Sequence, residues 1–278
     1  MKNIPVENNP KKIQYFTLNW DFNESINKGT IPNTVTHLKF GVCFNQSIDK
    51  LPSSIKSIKF GEHFNQSVDK LPSSIENIKF GRKFNQTIDK LPSLVKSIKF
   101  GAKFNQKVDK LPSSIENIKF GYCFNQSIDK LLSSIKNIEF GYNFNQSVDK
   151  LPSSIESIKF GWKFNQLVDK LPSSVKYIRF GREFNQSIKN LPLITHLEID
   201  WCFTQPPEHM PPSVTHLNVF CECLNGKIPE MVTHLTIHSS IYREKHMPQS
   251  VTHLTINGTD TLNDKIPETV THLILDRR

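Results

Sequence analysis

The stretch FNQSIDKLPSSIKSIKFG, residues 44–61, decides how the chain is read, because close copies of it follow almost without pause. Phe64 opens the next copy, and Phe84, Phe104, Phe124, Phe144, Phe164 and Phe184 open those after it, each 20 residues on with no insertion or deletion. A fixed internal period means units that stack, so the core runs along the stack instead of closing within each copy.

Written from its first core aliphatic, the repeat is I-x-x-I-x-F-G-x-x-F-N-Q-x-I-D-K-L-P-x-x. That first position falls at Tyr15, Val35, Ile55, Ile75, Val95, Ile115, Ile135, Ile155 and Val175, then at Ile194, Val214, Val232, Val251 and Val270. The spacing predicts a short N-terminal extension over residues 1–14 and a single solenoid over 15–278, with regular repeats at 35–190 and diverged ones at 191–278. The last part of I-x-x-I-x-F alternates, the period-two sign of a short strand, and its β-branched and aromatic residues suit one. Gly61 and its equivalents are expected to permit the bend that ends each strand. Leu-Pro then opens the return and Ser-Ser makes a turn. The return half shows no helical period. The expected fold class is a mainly β repeat solenoid, with one parallel sheet of about 14 short strands and an extended, turn-rich back without regular helices.

Hydrophobic residues make up only 37% of the 278, so their recurrence, more than their number, must supply the core. No run approaches the roughly 18 apolar residues of a membrane-spanning helix. The first ten residues hold no apolar segment of the kind a secretory signal needs. Five cysteines are an odd count with no C-x-x-C pair. Cys43 and Cys123 lie four coils apart, roughly 19 Å at strand spacing, beyond disulfide reach. These features point to an intracellular, cytoplasmic setting. Most N-x-S/T triplets share one repeat position, where glycans would collide at about 5 Å spacing, so they read as by-products of the repeat.

The core I-x-x-I-x-F resembles the L-x-x-L-x-L of leucine-rich repeats. The phrase F-N-Q-x-I…L-P-x-S-V/I is more specifically similar to the FNIP (IP22) repeat, as is Val-Thr-His-Leu at residues 35–38, 214–217, 232–235, 251–254 and 270–273. That is a leucine-rich-repeat-like family of social amoebae and of giant viruses of amoebae, and the likeness covers nearly the whole chain. Ser47 and Ser67 stand where the family pattern usually has Pro, and the Asp-Lys spacer is shorter. The resemblance implies a right-handed leucine-rich-repeat-like coil, protein recognition and, were the protein viral, residence in the host cytoplasm. Family members often carry an F-box before the repeats, which implies a ubiquitin-pathway link. About fourteen residues precede the first coil here, too few for an F-box.

In a stack, equal positions of successive coils form columns. Lys56, Glu76, Lys96, Glu116, Lys136, Glu156 and Lys176 alternate in sign, which suits pairing along the stack. Lys39, Lys59, Lys79, Lys99, Lys119, Glu139, Lys159 and Arg179, then Glu198, Asn218, Thr236 and Thr255, occupy a position between two core residues of the strand, so they face outward. Like charges directly opposite repel. Two readings stay open: a solvated face that keeps the surface soluble, or a basic ribbon for an acidic partner, in keeping with the net charge of +9. The two residues after each Gly differ most between copies. They include Tyr122, Tyr142 and Trp162, expected side by side and of the types that anchor interfaces.

The candidate partner-binding residues are therefore Lys59, Lys79, Lys99, Lys119, Lys159, Arg179, Tyr122, Tyr142, Trp162 and Tyr177. A lysine row at about 4.8 Å matches poorly the roughly 6–7 Å between phosphates of an extended strand. Aromatics for base stacking are sparse on that face, with Tyr177 the main one. The Asn45, Asn65 and Asn85 column is expected to turn its amides onto backbone, with the Phe44 column as an aromatic spine. His196, His216, His234, His253 and His272 form a linear ladder, which does not converge on one point as metal ligands must. Cys202, Cys221 and Cys223 near His238 lack a zinc spacing. The chain holds no G-x-S-x-G, P-loop or H-E-x-x-H, and repeated identical sites are unlike an active site.

The expectation is a non-enzymatic protein–protein interaction scaffold, without cofactor or metal, whose partner is a protein with an acidic surface, for instance a host protein. The alternative is polyanion or nucleic-acid binding through the lysine ribbon. A repeat body with no dedicated site is a third reading. No membrane partner is expected. Leu273, Ile274 and Leu275 near the C-terminus lack a polar cap, so homodimerisation through the C-terminal coil or fraying is expected there, with Arg277 and Arg278 as gatekeepers.

Overall fold

Each copy of the repeat contributes one short strand, because a single aliphatic points inward between two outward-facing polar residues. In a computed structural model of the chain, the described residues are 13–200, 202–205, 209–219, 228–238, 247–257 and 266–276. Contacts divide the chain into two units, Met1–Gln126 and Ser127–Arg278. The first carries β1 (Tyr15–Thr17), β2 (His37–Lys39), β3 (Ser57–Lys59), β4 (Asn77–Lys79), β5 (Ser97–Lys99) and β6 (Asn117–Lys119), parallel and in chain order. The second carries β7 (Asn137–Glu139), β8 (Ser157–Lys159), β9 (Tyr177–Arg179), β10 (His196–Ile199) and β11 (His216–Val219). It continues with β12 (His234–Ile237), β13 (His253–Asn257) and β14 (His272–Asp276), again parallel and in chain order. The described residues contain no α-helix, so the chain forms the expected parallel solenoid with an extended back.

The core of one coil shows how each column works. Ile55, Ile58, Phe60, Phe64 and Val68 are all fully or almost fully buried, and each such side chain stabilises the fold by roughly 1.5–3 kcal/mol. Phe60 and Phe64 stack at 4.0 Å between ring centroids, and Phe60 also stacks on Phe80 at 5.4 Å. Two aromatic columns are thus zipped together along the stack, where the sequence suggested one spine.

Polar columns close the backbone on the other sides. Asn45 Oδ1 accepts the Asn65 backbone N–H at 2.9 Å, and Asn65 does the same for Asn85 at 2.8 Å. Ser54 Oγ donates to the Val35 carbonyl at 2.7 Å, and Ser74 repeats this to Ile55. Each coil therefore satisfies groups on its neighbour that would otherwise be left unpaired.

The glycines do a different job from the one expected of them. Among the described residues only Gly29 has positive φ, at 90°. At Gly81 a Cβ would lie 1.7 Å from the Gly61 carbonyl oxygen. The column is glycine because successive backbones touch there, not because the chain needs a left-handed turn.

The first coil also departs from expectation. Tyr15 pairs with His37, not with Val35, and is 72% exposed, so it is not a core residue. Phe22 takes the aromatic column beneath Phe44, and Asn23 Oδ1 accepts the Asn45 N–H. The step from Phe22 to Phe44 is two residues longer than the later steps, and the extra Gly29-Thr30 is absorbed in a turn where Thr30 N–H donates to the Asn27 carbonyl. From β10 onward the glycine column stops, Ile199, Val219 and Ile237 fill the inward place, and strands lengthen to four or five residues.

Candidate functional site

The outward positions of each strand build an open polar face. In the first unit, Lys39, Lys59, Lys79, Lys99 and Lys119 stand directly opposite one another on successive strands. Lys39, Lys59, Lys79 and Lys99 are exposed and make no ion pair among the described residues. The charge of Lys59, with burial and the further charges of Lys99 and Lys119, holds the Lys79 ammonium below the usual lysine range. Beside this row runs a column of small polar residues, Ser57, Asn77 and Ser97.

Other charged columns of the same unit are satisfied internally. Asp49 accepts from Lys70 at 2.8 Å, Asp69 from Lys90 at 3.2 Å and Asp89 from Lys110 at 3.0 Å. Glu76 lies between Lys56 and Lys96, at 4.0 and 3.6 Å. The expected sign alternation thus gives real contacts here, while the lysine row of β2–β5 has no such compensation.

The second unit places the predicted residues differently. Glu139 stands opposite Lys159, and Lys159 opposite Arg179. Arg179 Nε lies 3.5 Å from a Glu198 carboxylate oxygen, and Tyr177 donates its hydroxyl to the other oxygen of Glu198. Burial, then the bonded Glu198 carboxylate, pushes the Tyr177 phenol far above its ordinary value. Lys159 Nζ sits 5.4 Å from the Tyr177 ring centre. Tyr177, the main aromatic on that face, is therefore tied into a local network through both its hydroxyl and its ring. Glu198 follows Arg179 in the same column but is not among the candidate residues named from the sequence, where its only signal is a carboxylate entering a basic column.

The residues after the glycines form a second cluster. Tyr142 and Trp162 stack at 5.4 Å, and the Arg182 guanidinium covers Trp162 at 4.7 Å from its centre. Lys163 Nζ lies 5.9 Å from the Tyr142 ring. Tyr122 belongs to the first unit and is 51% exposed. Arg182 occupies the same repeat position as Trp162, one coil on, and belongs to the same variable strip, although it is not among the candidate residues named above.

The histidine ladder is a stack. His196, His216, His234, His253 and His272 follow one another at 4.1–4.2 Å between ring centres, with Nδ1 of each beside the hydroxyl of the preceding Thr at 2.9–3.0 Å. Among the described residues, no three His, Cys, Asp or Glu side chains are grouped to hold a metal. Cys221, Cys223, Arg277 and Arg278, named from the sequence, lie outside the described residues. Among those described, no helix is long and apolar enough to cross a membrane.

Short parallel strands, an extended back and a polar open face define a leucine-rich-repeat-like solenoid. The chain belongs to the FNIP repeat family: its family model matches at residues 2–43, 44–83, 67–103, 84–123, 104–132, 124–161, 148–183 and 164–199. Among solved structures the chain is similar to CroV588, a giant-virus protein described as a novel circular LRR protein, with a TM-score of 0.70 and 31% identity. The match covers 93% of this chain and 49% of CroV588, so the chain spans about half the length of that protein. A weaker likeness is to YopM from Yersinia enterocolitica WA-314, with a TM-score of 0.47 and 14% identity over 88% of this chain and 56% of that one. No curated protein matches the chain.

Proposed function

We propose that the protein is a non-enzymatic protein-interaction scaffold whose partner presents an acidic surface to the lysine row of the first unit. The observation that carries this reading is the contrast between columns. Lys39, Lys59, Lys79 and Lys99 are aligned and free of ion pairs, while Lys56, Lys70, Lys90, Lys96 and Lys110 each have a carboxylate. The same repeat could place a carboxylate opposite each lysine and instead keeps one sign, against its own stability. An acidic partner relieves that repulsion and gains affinity and association rate from it. The free thiols of Cys43, Cys123 and Cys202 suit a reducing, cytoplasmic setting.

The test compares proteins retained from a cell lysate by the wild type and by a Lys59→Glu, Lys99→Glu double variant. In that variant the row alternates in sign, so the fold is expected to be at least as stable and lost binding is not unfolding. The reading expects a defined set of proteins to be released by the variant at physiological salt. Retention of the same set overturns it. Nucleic acid as the only material released replaces it with the polyanion alternative.

A further inference from the structure

We propose that the lysine row of the first unit receives the acidic face of an α-helix laid across β2–β6, at right angles to the strands. This rests on the scaffold reading above and deepens it by giving the partner a shape. The row is a comb of charge. Register pairs Lys39 with Lys59, Lys59 with Lys79, Lys79 with Lys99 and Lys99 with Lys119, so the ammonium stems recur at the strand spacing of about 4.8 Å.

A partner is selected by how well its carboxylates keep step with that comb. On an α-helix, residues i, i+3, i+7, i+10 and i+14 share one face and rise by about 4.5, 10.5, 15 and 21 Å from the first. The lysines stand at about 4.8, 9.6, 14.4 and 19.2 Å from theirs. The mismatch never exceeds about 2 Å, within the swing of a flexible four-carbon stem. An extended acidic segment repeats its face every roughly 6.7 Å, so over the same length it brings about four carboxylates to five lysines and leaves one lysine unmatched. Phosphates of an extended single strand, roughly 6–7 Å apart, leave one lysine unmatched in the same way.

The floor of the site fits the same occupant. Ser57, Asn77 and Ser97 are short, so a rod about 10 Å wide can lie against the sheet beside the lysines of β3–β5, with His37 of the same column at the β2 end. Tyr177, the aromatic that could have stacked a base, lies in the second unit with its hydroxyl held by Glu198.

Three labelled probes test this by fluorescence anisotropy against the whole chain at physiological salt: a stapled helical peptide with Glu at i, i+3, i+7, i+10 and i+14, a helical peptide of the same composition with its glutamates spread round the helix, and a single-stranded oligonucleotide. The striped helix is expected to bind at least about tenfold tighter than its permuted form. The Lys59→Glu, Lys99→Glu variant is expected to abolish that binding, and Lys70→Gln with Lys90→Gln to leave it unchanged. Equal binding of both peptides, lost in the Glu variant, overturns the helix geometry and leaves the acidic-surface reading standing. Binding of the oligonucleotide alone, or of none of the three, overturns both.

Discussion

Lys79 stands directly opposite Lys59 on the neighbouring strand, and neither makes an ion pair among the described residues. The contact is unfavourable for the isolated fold, so replacing one member is expected to help it. Lys79→Glu is expected to stabilise the protein by a few tenths to about 1 kcal/mol, the range for cross-strand charge pairs. Urea denaturation measures this, and added salt should raise the wild-type midpoint more than that of the variant.

The glycine column predicts the opposite sign. A Cβ at Gly81 would sit 1.7 Å from the Gly61 carbonyl oxygen, a backbone atom, and no rotamer of an alanine moves the Cβ away from it. Gly81→Ala is expected to cost about 3 kcal/mol or more, the upper end for overpacking. A loss under about 1 kcal/mol in urea denaturation means that the coils can separate locally and that contact does not fix their spacing.

Asn65 accepts the Asn85 N–H at 2.8 Å, and its own backbone carbonyl accepts from Gln86. Asn65→Ala leaves the Asn85 N–H without its acceptor and is expected to cost about 1–3 kcal/mol. Asn65→Asp keeps an acceptor oxygen and is expected to cost clearly less. Equal losses in the two variants would count against the ladder as the source of stability.

The histidine ladder gives a pH dependence with a definite direction. Burial, followed by the neighbouring imidazoles of the stack, holds His216 and His253 below the ordinary imidazole value of 6.5. The unfolded chain therefore takes up protons near pH 6.5 that the folded ladder resists, so stability falls as pH drops from about 6.5. Carboxylates such as Asp49, depressed by the hydrogen bond from Lys70, contribute their loss only around and below pH 4. Melting curves from pH 7.5 to 5 should show the decline, and His216→Gln should flatten it. A flat profile in the wild type contradicts the assignment.

β14 pairs with β13, and its Leu273, Ile274 and Leu275 remain 42%, 59% and 42% exposed. Self-association of this chain through that strand is the expected consequence. Sedimentation should show a concentration-dependent dimer that Ile274→Lys disperses. A monomer at every concentration would remove this edge from consideration.

Most of the fold was legible because the columns keep a strict period. From Phe44 to Phe184 every core position, the Asn ladder and the sign-alternating column follow from counting by 20. The first coil was not legible from Tyr15, because Gly29-Thr30 lengthens that step and shifts Tyr15 onto the open face beside His37. Phe22-Asn23 carried the correct phase. The lysine row was legible as an alignment, since strand pairing alone sets it. The tie of Tyr177 to Glu198 and the cover of Arg182 over Trp162 were not, since they depend on where side chains of unlike residues turn.

The lysine row is proposed as the surface that a protein partner covers. Lysine acetylation footprinting of the free and partner-bound protein tests it most directly, because paired lysines elsewhere on the same unit serve as controls. Lys59, Lys79 and Lys99 are expected to be protected, with Lys70, Lys90 and Lys110 unchanged. Protection of the paired lysines while Lys59, Lys79 and Lys99 stay fully reactive would contradict it.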